Sequence, residues 1–277
     1  VSGVFSLVRR GGPLLVSMPH VGAELPPPLA ARFTGAARAV PDTDWHVDRL
    51  YDFLAELDAT VLAARWSRLV IDLNRPPDGA SLYPGQATTG LCPAELFDGT
   101  PVYREGQAPG AEEIAARRAA YWQPYHDALA AELARLKARH GRVLLWDAHS
   151  IAAAIPRLFD GRLPDHNIGT ARGASCAPGM GEAVLEAARA FPAYSAVLNG
   201  RFVGGHITRA YGRPGQGIHA VQLELSQSAY MDGAPSFRFD EGRARALRPA
   251  LKAMMRAALD RLPGAAATGL RAGGRAR

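Results

Sequence analysis

Histidine stands at the carboxyl ends of two apolar runs in this chain. His20 follows Leu14-Leu15-Val16-Ser17-Met18, and His149 follows Val143-Leu144-Leu145-Trp146 by way of Asp147-Ala148. A catalytic zinc takes three protein ligands from His, Asp or Glu and keeps one position for water. His20 and His149 offer two nitrogens, and Glu24, Asp42 and Asp44 are the carboxylates available for the third place. No His-Glu-x-x-His is present. The run Ala220–Leu225 puts Gln222 and Glu224 on one face at a period of two, among apolar neighbours. A carboxylate is costly to bury there unless it is paired, hydrogen-bonded or used. Glu224 is therefore either an ion-pair partner for an arginine or a general base that relays a proton in metal-assisted hydrolysis. A third strand end, after Arg68–Leu73, delivers Asn74-Arg75.

These residues need a scaffold that gathers strand ends, and the chain reads as α/β. Short apolar runs alternate with longer amphipathic stretches, and in such sheets ligands collect at the carboxyl ends of strands. Strands are expected at Leu14–Met18, Ala59–Ala64, Arg68–Leu73, Arg142–Trp146 and Ala220–Leu225. A helix capped by Asp42 or Asp44 is expected to run through Val47, Leu50, Tyr51, Leu54 and Leu57. Glu112–His140 reads as a long helix bent near Pro124 and stopped by Gly141, with further helices at Met180–Ala190 and Glu241–Leu262. The stretch 74–109, rich in Pro and Gly, reads as a functional loop. No repeat or linker divides the chain, so the expectation is a single domain over residues 1–263 and a disordered basic tail over 264–277.

With 277 residues, 48% of them hydrophobic, the chain can bury one large core. Three charges of the formal net +6 come from Arg271, Arg275 and Arg277 in the tail. No nucleic-acid-binding signature accompanies the rest, which excludes nucleic acid and leaves small anions as ligands. Two cysteines, Cys92 and Cys176, make no disulfide framework. No apolar run has the length to span a bilayer and no signal-peptide pattern is visible, so a soluble cytoplasmic protein without a membrane partner is expected.

Seven blocks occur in an order and spacing that resemble the N-formylglutamate amidohydrolase (N-formylglutamate deformylase) family. They are Ser17-Met18-Pro19-His20-Val21-Gly22, Asp42-Thr43-Asp44-Trp45, Arg68 to Arg75, Asp147-Ala148-His149-Ser150, Asn199 to Gly205, Thr208-Arg209-Ala210-Tyr211-Gly212, and Leu223-Glu224-Leu225-Ser226-Gln227. The resemblance covers Leu14 to about Leu262. It implies a zinc-carboxypeptidase-like fold, a mixed and mostly parallel sheet flanked by helices on both faces. It also implies hydrolysis of N-formyl-L-glutamate to formate and L-glutamate, a step of histidine degradation, with one zinc per chain. By the same resemblance His20, His149 and Asp44 match the metal ligands and Glu224 the general base. Asn74-Arg75 matches a pair that holds the substrate carboxylate or the reacting carbonyl, and Arg75 or the metal would stabilise the tetrahedral intermediate. A dicarboxylate substrate needs several arginines able to grip bidentately: Arg75, Arg209 and Arg213 first, with Arg68 and Arg201 behind them. His206 replaces an aromatic in the pocket wall.

Three other readings fit parts of the pattern. Asp147-Ala148-His149 resembles the Asp-Ala-His-x-Asp element of two-manganese ureohydrolases, but residue 151 is Ile. A related N-acyl-amino-acid hydrolase or carboxypeptidase would keep the site and change the acyl group or amine. A non-catalytic binding protein would have no use for His20, His149 and Glu224 together.

Overall fold

The computed structural model describes residues 3–80 and 88–264. Its strands are β1 (Phe5–Val8), β2 (Leu14–Met18), β3 (Thr60–Ala64), β4 (Val143–Ile151), β5 (His166–Gly169), β6 (Ala196–Leu198) and β7 (Ile218–Ser226). They form one sheet in the order β1-β3-β2-β4-β7-β5-β6. The central pairs β3–β2, β2–β4 and β4–β7 are parallel, as is β5–β6, while β1–β3 and β5–β7 are antiparallel. The expected mixed, mostly parallel α/β sheet is what forms.

The helices are α1 (Pro27–Ala30), α2 (Gly35–Arg38), α3 (Val47–Leu50), α4 (Ala111–Arg117), α5 (Gln123–His140), α6 (Met180–Arg189), α7 (His206–Tyr211) and α8 (Glu241–Asp260). The central strands are buried on both faces, which is why they read as continuous apolar runs. On one face Leu14, Val16, Trp146, Ala148, Val221 and Leu223 pack against α3, α6 and α8. On the other, Leu15, Val143, Leu145 and Ala220 pack against α5 and Ile207 of α7. Toward the carboxyl ends this second face turns polar: Asp147 and His149 follow Leu145, and Gln222 and Glu224 follow Ala220. Gly141, at φ +73°, closes α5 in the left-handed conformation and turns the chain into β4.

Three expectations are corrected. Arg68–Leu73 is not a strand but a buried turn, in which Val70 N–H donates to Ser67 O (2.9 Å). Its apolar residues divide between two core clusters, Leu69 and Val70 in one and Ile71 and Leu73 in another. A short apolar run does not by itself specify a strand. The helix expected from Asp42 or Asp44 is only α3 followed by a 3₁₀ stretch, Asp52–Leu57, because His46 enters at φ +62° and Tyr51 leaves α-helical geometry. β4 continues to Ile151, so Asp147 and His149 lie within the strand instead of after it. The bend foreseen near Pro124 is a π-helical turn at Arg118–Trp122 that joins α4 to α5. The tail expected beyond Gly264 lies outside the described residues, as does the 81–87 part of the 74–109 loop.

Candidate metal centre and active site

Three chain segments meet at the polar end of the sheet. His20 follows β2, His149 lies on β4, and Asp44 sits in the turn ahead of α3; their ligand atoms lie within 4.8 Å of one another, and all three residues are buried. His149 Nδ1 is 3.0 Å and His20 Nδ1 3.7 Å from the same atom, Asp44 Oδ2. The second nitrogen of each ring is committed elsewhere. His20 Nε2–H donates to Asp72 Oδ1 (2.7 Å), and His149 Nε2 lies 3.0 Å from Asp147 Oδ2 and 3.0 Å from Asn74 Nδ2. Each imidazole thus has an outer carboxylate that fixes its tautomer and turns Nδ1 toward Asp44, the arrangement that metal-ligating histidines use. Asp44 Oδ1 is buried without a hydrogen bond and faces Arg68 Nη1 at 3.7 Å, which leaves Oδ2 as the oxygen on which both rings converge. Two imidazoles and a carboxylate are a donor set suited to a divalent ion of the zinc type.

The loop after Asp72 locks this arrangement. Asp72 accepts from Arg68 Nη2 (2.7 Å) and from Asn74 N–H (2.9 Å), and Arg68 Nη1 lies 3.7 Å from Asp44 Oδ1. Asn74 Nδ2 approaches Asp147 Oδ2 (3.3 Å) and His149 Nε2 (3.0 Å), while its Oδ1 accepts from Ile207 N–H (2.8 Å). The Ile207 bond orients the amide, so Asn74 Nδ2 is the donor that faces Asp147 and His149. Two side chains near the π-turn hold the loop from below: His126 Nε2–H donates to Leu73 O (2.8 Å) and Trp122 Nε1–H to Arg75 O (3.0 Å). From the other side Gly205 presses on Asn74; a Cβ there would fall 2.4 Å from Asn74 Nδ2. Gln222 Oε1 accepts from Gly205 N–H (2.6 Å) and fixes that approach.

Glu224 lies directly opposite His149 in the parallel β4–β7 register. It is buried, and Gln222 Nε2–H reaches its Oε2 at 3.4 Å. Burial pushes its carboxyl up to about 8, only partly offset by the nearby His149 charge. Burial works against ionised Asp44 and Asp72 too. The His149 hydrogen bond with the His20 charge, and the Arg68 and His20 charges, outweigh it and hold these two carboxyls below their ordinary range. Burial also disfavours a charged His149, yet Asp147 and Asp44 raise it well above an ordinary histidine, whereas burial keeps His20 low. The result is a constellation with one raised and two lowered carboxyls, the kind of separation that acid–base chemistry uses.

Of the residues singled out from sequence, His20, Asn74, Arg75, His149 and Glu224 line one narrow cavity together with Arg68 and Arg201. Asp44 stands behind its two histidines. Asp42 faces away, accepting from Phe97 N–H (2.8 Å), and Glu24 pairs with Arg65 (2.8 Å) at the surface. Arg75 is held by Thr89, through O at 2.9 Å and Oγ1 at 3.1 Å. Arg209 and Arg213 do not line the cavity. Arg209 is exposed on α7 and donates to Gly204 O (2.8 Å). Arg213 is exposed and bridges to Ile218, at the opposite end of β7 from Glu224. His206 packs against the stacked pair Trp122 and His126 (ring centroids 5.8 and 5.5 Å) and is not among the cavity-lining residues. Sequence reasoning missed Asp72 and Asp147 as histidine partners, and Gln222, Trp122 and His126 as supports. The signal for Asp72 was its isolation in Leu69-Val70-Ile71-Asp72-Leu73, an acid that must be paired if buried.

Among the described residues, no helix is long and apolar enough to cross a membrane. The sequence profile of the N-formylglutamate amidohydrolases matches residues 12–231. An N-formylglutamate deformylase from Pseudomonas aeruginosa is 54% identical over 256 residues, 92% of this chain and 96% of that protein. Another from Pseudomonas putida is 52% identical over 247 residues, 89% of this chain and 92% of that protein. In fold, the crystal structure of an N-formylglutamate amidohydrolase from Ralstonia eutropha superposes with a TM-score of 0.79 at 24% identity, covering 94% of this chain and 98% of that one. With a match over most of its length, and relatives identical at more than half of the aligned positions, this chain belongs to the N-formylglutamate amidohydrolase family.

Proposed function

We propose that this chain hydrolyses N-formyl-L-glutamate to formate and L-glutamate, using one zinc ion held by His20, Asp44 and His149. The observation that carries the reading is the convergence of those three side chains beside Glu224, in a protein so similar to two N-formylglutamate deformylases. A divalent ion at this position supplies Lewis acidity, polarising the amide carbonyl and making water more acidic. The chain's own residues supply the rest. Glu224, raised by burial to about 8 in the metal-free chain and favoured as the carboxylate once a cation lies beside it, takes a proton from the attacking water as the water oxygen bonds to the formyl carbon. It then returns the proton to the glutamate nitrogen as the C–N bond breaks. Arg75 and Arg201, both facing the cavity, replace Arg209 and Arg213 as the guanidinium groups suited to the two substrate carboxylates. Arg68 holds Asp72 and, through it, the His20 ring. Residues 1–263 act in this reading as a single amidohydrolase domain.

The test is formate release from N-formyl-L-glutamate by zinc-loaded protein, run beside the N-acetyl and N-succinyl analogues. Glu224→Gln keeps shape and should lower kcat about a thousandfold or more, on the order of 4 kcal/mol. A zinc-loaded wild type that releases no formate refutes the substrate; a loss below about tenfold in Glu224→Gln refutes the base.

A further inference from the structure

Of the three candidate ligands, Asp44 is the one that no strand holds. His20 follows β2 and His149 lies on β4, whereas Asp44 stands in a turn between α2 and α3. That turn runs between two non-glycine residues in the left-handed conformation, Val40 at φ +44° and His46 at φ +62°. A β-branched valine resists this region strongly, and such geometry persists only where the surroundings over-determine it. Within the segment Thr43 N–H donates to Val40 O (3.2 Å) and Val47 N–H to Asp44 O (3.4 Å), and Asp44 N–H reaches across to His20 O (3.0 Å).

Both carbonyls that flank Asp44 are gripped from beyond the end of β7. Gln227, in the 3₁₀ turn Gln227–Ala229, donates Nε2–H to Thr43 O (3.0 Å), and Tyr230 donates its hydroxyl to Trp45 O (2.7 Å). Ser150 joins the two, its Oγ lying 3.4 Å from Gln227 Nε2 and 2.7 Å from Tyr230 Oη. A phenol has one hydrogen and a carbonyl only accepts, so the Tyr230 proton serves Trp45 and the Ser150 hydroxyl donates to the phenol oxygen. Ser150 N–H also donates to Asp44 Oδ2 (3.2 Å). His46 is fastened from the same region, its ring Nε2–H donating to Phe237 O (2.8 Å). Thr43, Asp44, Ser150, Gln227 and Tyr230 are all buried, where an unmade hydrogen bond is costly.

We propose that Gln227 and Tyr230 are positioning residues for the metal centre: they clamp the peptide units on both sides of Asp44, and so set where Oδ2 stands against the His20 and His149 rings. The proposal rests on the metal centre proposed above. Gln227 closes the last of the seven sequence blocks, and the proton relay assigned to Glu224 makes no use of it. The clamp also ties ligand to base, because Glu224 lies on β7 and Gln227 in the turn that follows it. Neither side chain is itself a candidate ligand, so their loss should show in how tightly the site holds its ion.

The experiment measures zinc dissociation constants by competition with a chelating dye, beside Tm of the metal-free protein, for wild type, Tyr230→Phe, Gln227→Met and Ser175→Ala. Tyr230→Phe removes one oxygen, and Gln227→Met keeps an unbranched side chain of similar length without the donor. Each should weaken zinc about 10–100-fold, the range seen when the outer partners of metal ligands are lost. Ser175→Ala is the control. It removes another buried hydroxyl-to-carbonyl bond, Ser175 Oγ–H to Ala220 O (2.7 Å), toward the other end of β7, so it should lower Tm and leave zinc affinity unchanged. Wild-type zinc affinity in the folded variants overturns the proposal. So does an equal loss in Ser175→Ala, which would make the effect one of general loosening. Tyr230→Phe, the smaller change, decides alone if Gln227→Met does not fold. Wild-type protein that binds no zinc would instead defeat the metal centre itself, and is seen before any variant is compared.

Discussion

His20 and His149 are alike in what they ask of their surroundings: each sets Nε2 against a buried aspartate and aims Nδ1 at Asp44. Asp72 and Asp147 are therefore as much part of the centre as the three groups that would touch an ion. Asp72→Asn keeps the size of the side chain but weakens the hold on His20, and should loosen zinc about 10–100-fold, read by competition with a chelating dye. Undiminished affinity would mean that Asp72 serves Arg68 alone. The His149 proton gives a second expectation. Burial opposes a charged ring, but Asp147 and Asp44 raise His149 well above its usual value, so the metal-free protein holds a proton at neutral pH that an ion must displace. Zinc affinity should consequently increase with pH, by about tenfold per pH unit across the neutral range. A dissociation constant equal at pH 6.5 and 7.5 would contradict that protonation state.

At the scale of elements, β2, β4 and β7 were legible because strands buried on both faces carry continuous apolar runs. The long helix and its Gly141 stop were legible because period and cap agree. Short strands such as His166–Gly169 and Ala196–Leu198 lack that signature and owe their place to pairing within the sheet. Arg68–Leu73 misled because burial produced the apolar run without any ladder hydrogen bonding to go with it. The candidate ligands His20 and His149, and Glu224, could be read from their positions on or just after apolar strands. Asp44 could be preferred over Asp42 only through family likeness, since spacing does not say which of two aspartates turns inward. The arginines were hardest: Arg209 lies in a promising block and Arg213 just after it, yet α7 and the turn ahead of β7 place them outside the lining of the cavity. Gly205 shows what an element contact can demand. A methyl group there would overlap the Asn74 amide, so Gly205→Ala should displace Asn74 from Asp147 and His149. We expect kcat to fall at least tenfold with a smaller change in KM, in steady-state assays of folded protein; wild-type kinetics would show that the loop yields freely.

Over the whole molecule, the centre concentrates charge among side chains that are almost wholly buried. Asp44, Asp72, Asp147 and Glu224 are buried beside Arg68, His20 and His149, an arrangement that an added cation should stabilise. An ion that binds only the folded state at a thousandfold excess over its dissociation constant adds about 4 kcal/mol. Chelation should therefore lower Tm by roughly 10 °C in a chain of this size, and an unchanged Tm would argue against a resident metal. In the chelated protein Glu224 has its own pH signature. Its folded value, about 8, lies above the ordinary glutamate value of about 4.3, so between these limits the unfolded chain loses a proton that the folded chain keeps. Stability contributed at low pH is lost as pH rises through that window. The Tm advantage of Glu224→Gln over wild type should widen from about pH 4.5 to 8 and then level, as thermal melts at several pH values would reveal. The order of the sheet carries a consequence for biosynthesis. The strands that bear His149 and Glu224 are neighbours in space but come late in the chain, after His20 and Asp44. At about 5–20 residues per second of synthesis, several seconds separate emergence of the first ligand from the last, and β7 follows later still. A nascent chain can therefore expose His20 and Asp44 without owning a centre, and metal acquisition belongs to the period after the central strands have paired.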